Sequence, residues 1–259
     1  GHFTTNATNG SAINNLAILD GNAATIRGLG AGIDSNSTFL ALAISDNVLY
    51  AGGNVTGSVS GSELNGLVVY SMENNTFSQY QPPRFLGDDV TVNAIAARPN
   101  SNHIYVAGQF QSAGALPCPG VCYWDTESQQ WNRPGASLNG TVLALKWLNS
   151  KELLAIGDLN IDGNQSVVAT YTVKEQSWQT FEGASTSDIP GSITAFTPAN
   201  TAVSKFWLAG VYTNGSSFLA AYDGSSFSFV RNMFDDETEI RGLEVLPINK
   251  NHDGVSNLN

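Results

Sequence analysis

The sequence predicts an all-β protein, a five-bladed β-propeller built from four-stranded antiparallel blades. Two observations lead to this prediction. The same four anchor residues recur about every fifty positions, which is the signature of a repeat architecture. The apolar runs are short, rich in β-branched and aromatic residues and separated by Gly, Asn and Asp, and no stretch shows helical periodicity. Because a small sheet cannot bury both faces alone, the copies are expected to pack radially, face to face.

The first two strands of each copy are marked by small residues. The first strands carry the pairs Ala41-Leu42, Ala94-Ile95, Ala144-Leu145, Ala195-Phe196 and Gly242-Leu243. The second strands end on a glycine, at Gly53, Gly108, Gly157 and Gly210. Small side chains are expected where the innermost strands crowd around the axis of a propeller.

The outer two strands are marked by larger side chains. The third strands end on Leu19, Tyr70, Tyr123, Tyr171 and Tyr222. The fourth strands carry Ile26, Phe77, Trp131, Trp178 and Phe227. These residues are expected to fill the wider, outer part of the wedge between neighbouring blades.

The copies divide the chain, which we expect to be one domain from residue 1 to 259, into four complete blades and one composite blade. The complete blades are predicted at about 38–83, 90–134, 140–182 and 191–231. The composite blade is predicted to combine residues 1–30 with residues 238–259. The first segment ends a second strand at Gly1 to Phe3 and supplies a third and a fourth strand, and the second segment supplies a first strand at Ile240 to Leu246. This closure would pair open strand edges that otherwise promote aggregation. An irregular β-sandwich would not repeat four anchors in register. If further strands follow Asn259 in a longer parent protein, the ring could instead have six or seven blades.

Composition narrows the class of protein. Of 259 residues, 42% are hydrophobic and only 13% are charged, with a net charge of −11. This balance argues against nucleic-acid binding, which requires clustered Lys and Arg, and no apolar run is long enough to cross a membrane. Low lysine content with abundant Ser, Thr, Asn and Gly is typical of a secreted or cell-surface domain.

Eight Asn-x-Ser/Thr motifs predict N-glycosylation and support that compartment. Five of them fall in loops expected to join second and third strands: Asn6, Asn9, Asn54, Asn164 and Asn214. Two fall in connections between blades, at Asn36 and Asn139, and Asn74 alone falls at the opposite end of its blade. The sequence therefore predicts one face coated with sugar and one comparatively bare face.

The two cysteines, Cys118 and Cys122, flank Pro119-Gly120-Val121. A metal site needs more ligands, and a redox motif has two intervening residues, not three. In an oxidising compartment a Pro-Gly turn can bring the two α-carbons within the roughly 7 Å that a disulfide requires. We therefore predict a disulfide that fixes one turn.

No catalytic motif is evident. His2, His103 and His252 are too scattered for a three-histidine metal site, and no nucleophile elbow, phosphate loop or zinc motif is present. Acidic residues in the connections between blades could converge at the mouth of a central channel, as in five-bladed glycosidases: Asp34, Asp88, Asp89, Asp188, Asp235, Asp236, Glu237 and Glu239. Because acidic loops are usually only solvated, the sequence favours a protein without catalysis.

Two segments match the first half of a calcium-binding loop. They run from Asp158 through Asn160 and Asp162 to Gly163, and from Asn249 to Gly254. Neither has an acidic residue at the twelfth position, and Asn, Asp and Gly are common in ordinary turns. We therefore expect no cofactor, and calcium at Asp158, Asn160 and Asp162 remains the alternative.

Several phrases resemble the kelch-like repeats of fungal cortical marker proteins for cell polarity. They are Leu49 to Asn54, Ile104 to Phe110, Tyr123-Trp124-Asp125 with Trp131, Leu138 to Leu145, and Ile240 to Pro247 with Asn251 to Asp253. The resemblance covers nearly the whole chain. It implies part of the ectodomain of a large glycosylated single-span membrane protein that marks growth or bud sites through a membrane partner. This chain shows no signal peptide, membrane span or cytoplasmic tail, so we expect it to be a fragment that does not itself insert into a membrane.

The resemblance and the sugar pattern together predict a non-enzymatic extracellular scaffold for a protein partner at the cell cortex or membrane. Its contacts are expected at the barer face, in the loops Ser45–Asn47, Arg98–His103, Asn149–Glu152 and Pro198–Lys205. A carbohydrate-binding module of the cell wall or secretome is the alternative, and a glycoside hydrolase is a further one.

Overall fold

The computed structural model describes residues 3–181, 189, 191–200, 203–230, 234–235 and 237–246. Every regular element in this part of the chain is a β-strand, which confirms the all-β class. Within the same residues no helix is long and apolar enough to cross a membrane. The chain forms two compact units, residues 1–193 and 194–259, which are described separately.

Four sheets have four antiparallel strands each, paired in chain order, and we call them blades I to IV. Blade I consists of β5 (Thr38–Ser45), β6 (Val48–Val59), β7 (Ser62–Ser71) and β8 (Thr76–Phe77). Blade II consists of β10 (Thr91–Ala97), β11 (His103–Gln109), β14 (Val121–Asp125) and β15 (Gln130–Asn132). Blade III consists of β16 (Leu138–Trp147), β17 (Glu152–Ile161), β18 (Asn164–Thr172) and β19 (Ser177–Thr180). Blade IV consists of β20 (Gly191–Pro198), β21 (Phe206–Tyr212), β22 (Ser217–Tyr222) and β23 (Phe227–Val230).

Smaller sheets complete the described strands. The N-terminal segment forms two hairpins, β1 (Thr4–Asn6) with β2 (Ala12–Asn14) and β3 (Ile18–Asp20) with β4 (Thr25–Arg27). A three-stranded sheet that the sequence did not predict consists of β9 (Phe85–Leu86), β12 (Ser112–Ala113) and β13 (Leu116–Pro117). It joins the connection between blades I and II to an excursion between the second and third strands of blade II.

The outer anchors pair directly across the third and fourth strands. Tyr70 lies opposite Phe77, Tyr171 opposite Trp178 and Tyr222 opposite Phe227. In blade II the residue opposite Trp131 is Trp124, so the assignment of Tyr123 as the third anchor was wrong by one position. Because side chains alternate across a strand, the shift places Tyr123 on the other face of the sheet.

A β-bulge explains the repeated glycine. The first strands of blades I, II and III each contain a register shift just before the small anchor residue. The bulge brings the first strand so close to the second that a Cβ at Gly53, Gly108 or Gly157 would collide with a carbonyl oxygen of the first strand. The repeated glycine is therefore required within the sheet and does not simply end a strand.

Consecutive blades of the first unit pack face to face, and we call each packed interface a seam. The core of the I–II seam contains Tyr50, Phe85, Ile104, Trp124 and Trp131. The core of the II–III seam contains Tyr105, Val142, Leu153, Tyr171 and Trp178. Innermost strand β10 contacts both β5 and β16, as radial packing requires.

The two closing tryptophans make the same hydrogen bond in successive seams. The indole of Trp131 donates to the carbonyl of Pro83 at 2.8 Å, and the indole of Trp178 donates to the carbonyl of Pro134. Each proline lies in the connection that leads from the preceding blade. Burial of a tryptophan therefore leaves no unsatisfied N–H, and each outer strand is tied to the chain that enters its blade.

The ends of the chain differ from the prediction. The hairpin β3–β4 has the expected third and fourth strands, and Leu16 and Ile18 pack against the core of blade I. The strand predicted at Ile240 to Leu246 is absent from the described structure, since this stretch has no ladder partner there. Its position after blade IV is nevertheless fixed by a hydrogen bond from Thr194 Oγ1 to the carbonyl of Ile240, at 2.7 Å.

Candidate functional site

The most distinctive surface of the first unit lies at one end of the II–III seam. Each blade has a turn end, where its first strand connects to its second and its third to its fourth. At the turn end of the II–III seam the two blades bring together six side chains, which we call the seam cluster: Arg98, His103, Tyr105, Tyr123, Trp147 and Tyr171. Two of the four loops predicted for contacts, Arg98–His103 and Asn149–Glu152, flank it.

Tyr105 is the centre of the seam cluster and is almost fully buried. Its ring stacks on Tyr123 with centroids 5.0 Å apart and meets the edge of Trp147 at 4.9 Å. Its ring centroid also lies 6.3 Å from that of Tyr171 from blade III. Because offset and edge-on ring pairs are favourable geometries, the cluster holds the two blades in a fixed relation at this end.

Arg98 covers the outer side of the cluster. Its guanidinium carbon lies 5.9 Å from the centroid of the Trp147 ring, within the range of a cation–π contact. Its Nε donates a hydrogen bond to the carbonyl of Ser150 at 3.0 Å. The cation is thus oriented by blade III although it belongs to the end of the first strand of blade II.

Burial keeps the other polar members uncharged. It raises the pKa of Tyr105, Tyr123 and Tyr171 above the ordinary range of tyrosine. It also lowers the pKa of His103, an effect that neighbouring Asp125 opposes and Arg98 reinforces. The Nδ1 atom of His103 is buried and has no hydrogen-bond partner among the described residues. Near pH 7 the cluster is therefore a set of neutral rings with one cation at its rim.

This arrangement is suited to binding. Arg98, His103, Tyr123 and Trp147 are each partly exposed, so a partner can contact them without unfolding the seam. Arginine, tyrosine and tryptophan are the residue types that carry most of the energy of protein–protein contacts. The sequence predicted contacts in the adjacent loops but did not identify Tyr105 and Trp147. Both are aromatic residues near the end of a strand next to a turn, and this position is the sequence feature that could have identified them.

The equivalent position in the I–II seam is open. Val48 and Val69 stand where blade II has His103 and Tyr123, and Ala97 stands where blade III has Trp147. A groove of about 410 Å³ lies at this end of the I–II seam, lined in part by Val48 and Val69. We call it the Tyr80 groove, after an exposed ring on its wall, and its lining includes Tyr50, Asn74, Gln79, Tyr80, Trp124 and Gln129.

Within the first unit the predicted acidic residues lie at separate places. Asp88 and Asp89 line a polar cleft of about 490 Å³ together with Asn54, Asn65 and Gln109. Asp34 accepts a hydrogen bond from the hydroxyl of Thr56 at 2.7 Å. The remaining acids belong to the second compact unit or lie outside the described residues: Asp235, Glu237 and Glu239 are exposed in the second unit, and Asp188 and Asp236 are not described.

The segment Asp158–Gly163, which matches half of a calcium-binding loop in sequence, forms part of a β-hairpin. Asp158 and Asn160 lie in strand β17, paired with Thr141 and Asn139 of the first strand, and Asp162-Gly163 forms the tight turn into β18. The side-chain oxygen of Asn160 accepts the N–H of Gly163 at 2.8 Å. Ladder hydrogen bonds hold Asp158 and Asn160 in extended conformation. Asn249–Gly254, His2 and His252 lie outside the described residues, and those that are described contain no cluster of three metal-ligating side chains.

The asparagines of the glycosylation motifs lie on the surface, and the two cysteines lie at the predicted turn. All eight asparagines are exposed. Asn6, Asn54, Asn139 and Asn164 lie in strands rather than loops, because β1 ends at Asn6 and β6, β16 and β18 include the other three. Cys118 and Cys122 form the predicted disulfide, with α-carbons 5.7 Å apart. Gly120, within this turn, lies so close to the carbonyl of Gly140 in blade III that a Cβ would approach it to 2.7 Å.

Comparison with known proteins identifies a matching family model and two similar fungal proteins. Residues 67–259 match the family model described as the Rax2 C-terminal beta propeller domain. The chain is 40% identical over 257 residues to Polarized growth protein L1 of Phoma sp., covering 98% of this chain and 19% of that protein. It is 27% identical over 225 residues to Polarized growth protein RAX2 of Candida albicans, covering 81% of this chain and 16% of that protein. The chain thus spans less than a fifth of the length of these relatives.

Solved structures add a likeness in fold only. The beta-propeller domain of Cps50 (Swd1) from Myceliophteria thermophila is 12% identical, with a TM-score of 0.44, and the match covers 73% of this chain and 54% of that chain. The family match covers most of the chain, and the relatives are named for polarized growth, as the resemblance to polarity markers predicted. The chain belongs to the family of Rax2 C-terminal beta-propeller domains.

Proposed function

We propose that this domain is a non-enzymatic, extracellular protein-interaction scaffold of a fungal cell-polarity protein and that the seam cluster is its contact surface. The single observation that carries the proposal is the partly exposed group of Arg98, His103, Tyr123 and Trp147 on a turn end. The expected partner is a protein of the cell cortex or membrane, because the relatives are named for polarized growth. Eight exposed glycosylation motifs and a disulfide support an extracellular location.

The test is co-purification from cell membranes with the full-length parent protein. Arg98→Ala and Trp147→Ala should each reduce recovery of a membrane partner by about ten-fold or more, which is the effect of losing a hot-spot residue. Arg133→Ala is the matched control, because Arg133 also donates to a main-chain carbonyl but lies in the connection between blades II and III. Unchanged recovery for Arg98→Ala and Trp147→Ala, with folding intact, would contradict the proposal.

We further propose that the ring has five blades and that the composite blade closes it. Two observations within the separate units support this. Leu40, Leu42 and Ile44 of β5 are exposed, as expected for an innermost strand that lacks a neighbour. In the second unit, the bond from Thr194 to Ile240 repeats the bond from Asn93 to Val142, which joins the first strands of blades II and III.

Hydrogen exchange tests this closure directly. If residues 240–246 form the innermost strand of a fifth blade, their amides exchange slowly, like those of β10 and β16. Exchange at the rate of an unstructured peptide would refute the composite blade while leaving the family assignment intact.

The second candidate function is carbohydrate binding, and the polar cleft at Asp88 and Asp89 is the observation that favours it. Carboxylates and amides such as those of Asn54, Asn65 and Gln109 can hydrogen-bond sugar hydroxyls. A glycan array with the wild-type chain and with a double variant, Asp88→Asn with Asp89→Asn, tests this function. Binding that the double variant loses would favour it over the scaffold, and hydrolysis that depends on the two carboxylates would instead indicate a glycoside hydrolase.

A further inference from the structure

The Tyr80 groove has an unusual combination of features. Its floor is apolar and aromatic, with Tyr50 and Trp124 almost fully buried. Its rim is polar and neutral, with the amides of Gln79 and Gln129 and the hydroxyls of Ser78 and Thr126. None of the described residues that line the groove is charged. An occupant is therefore expected to be neutral, with an apolar face and many hydrogen-bonding groups.

Tyr80 supplies a stacking surface on the wall of this groove. The residue is 63% exposed although it is a large aromatic side chain. Burial raises the pKa of Tyr50 to about 12, so its hydroxyl keeps its proton and can donate from the floor. Aromatic walls with a few converging polar groups are typical of small-molecule sites. A pyranose ring fits this chemistry, because one of its faces presents C–H groups and its edge presents hydroxyls.

A sugar attachment site lies on the groove itself. Asn74, the first residue of the motif Asn74-Asn75-Thr76, lines the groove and its side chain is exposed. Its backbone N–H is fixed by the hydroxyl of Ser71 at 3.2 Å, so the attachment point is held at the start of the turn into β8. A ligand tethered beside its binding site has a high effective concentration and occupies even a weak site.

We infer that the N-linked glycan of Asn74 folds back into the Tyr80 groove and packs its first sugars against Tyr80, between blades I and II. This inference rests on the proposed extracellular location. It also bears on the proposed contact surface, because Asn74 is the one glycosylation motif at a turn end of its blade. A glycan that lies in the groove leaves the neighbouring seam cluster uncovered, whereas a projecting one would crowd it.

The test measures how fast an endoglycosidase releases each glycan from the folded, secreted chain, with glycopeptide mass spectrometry as the readout. A docked sugar is cleaved only when it leaves the groove. The glycan of Asn74 should be released about ten-fold more slowly than those of Asn164 and Asn214, which lie at hairpin turns. Tyr80→Ala should abolish this protection, and Tyr80→Phe should retain it, because the ring remains.

The outcomes separate this inference from the proposed function. Equal release at the three sites, no effect of Tyr80→Ala, or an unmodified Asn74 beside glycosylated Asn164 and Asn214 overturns the docking and leaves the extracellular location standing. Absence of sugar at every motif overturns both. Because Tyr80 is largely exposed, Tyr80→Ala should not unfold the domain. The control is the unfolding midpoint of the deglycosylated variant, which should equal that of the deglycosylated wild type.

Discussion

The I–II and II–III seams are built from equivalent positions but end differently. Their cores are alike, each with a closing tryptophan whose indole donates to a proline carbonyl. At the turn end, Val48 and Val69 line an open groove in one seam, whereas their equivalents His103 and Tyr123 belong with Trp147 to a packed cluster in the other. The repeat thus keeps the residues that stabilise the packed blades and varies those that face solvent, so function can differ between seams without a change in fold.

The largest expected effect tests whether the two cores are equivalent. Trp131→Ala and Trp178→Ala should each lower the free energy of unfolding by about 3–5 kcal/mol, because a buried ring is removed from each seam. Trp131→Phe and Trp178→Phe keep most of the ring and lose the indole hydrogen bond, so smaller losses are expected. Urea denaturation measures all four variants. A loss confined to one seam would show that the cores are not interchangeable.

A smaller effect tests what fills the turn ends. Trp147→Ala should open the II–III seam and cost about 2 kcal/mol, because the ring is only partly buried. The reciprocal Ala97→Trp adds a ring at a partly exposed position of the I–II seam, and a change of about 1 kcal/mol or less is expected. The free energy of unfolding in urea is again the measurement. Equal costs for the two exchanges would mean that the seams do not differ in the way described.

The smallest effect is a pH dependence confined to the II–III seam. The folded pKa of His103 is below its usual 6.5, so the unfolded chain binds a proton that the folded chain does not. Stability should therefore fall as the pH drops below about 6.5 and level off below the folded pKa. Asp125, whose pKa is lowered by its hydrogen bond with Ser128, keeps its charge across this window.

His103→Val, which copies the residue at the equivalent position of blade I, should remove this contribution. The measurement is the free energy of unfolding at about pH 7.5 and about pH 5.5 for the wild type and the variant. If the free energy of unfolding changes equally with pH in the wild type and the variant, His103 is not the source of the pH dependence.

Most of the fold could be predicted from the sequence because its signals are local. Runs of β-branched and aromatic residues mark the strands, and glycine marks the bulge. Register was harder: Tyr123 and Trp124 are adjacent aromatic residues, and only the ladder shows that Trp124 faces Trp131. The three-stranded sheet was missed because its strands have two residues each and one contains Pro117, which the rules for strands disfavour.

The candidate site was predictable only in part. The loops Arg98–His103 and Asn149–Glu152 follow from topology, which places them at the same end of neighbouring blades. Tyr105 and Trp147 come together only when the two blades pack, and a single sequence carries no direct sign of that pairing. The Tyr80 groove depends on the small size of Val48 and Val69 relative to their equivalents, a difference that becomes visible only after the register is known.

The bulge in each first strand offers a way to count blades elsewhere in the parent protein. In blades I to III a small residue after the bulge is followed, twelve to fourteen positions later, by a glycine that no other residue can replace without a backbone collision. A steric requirement of this kind persists where aromatic anchors have drifted. In the four-fifths or more of the relatives that this chain does not span, further copies of that spacing would identify additional modules even when overall similarity has faded.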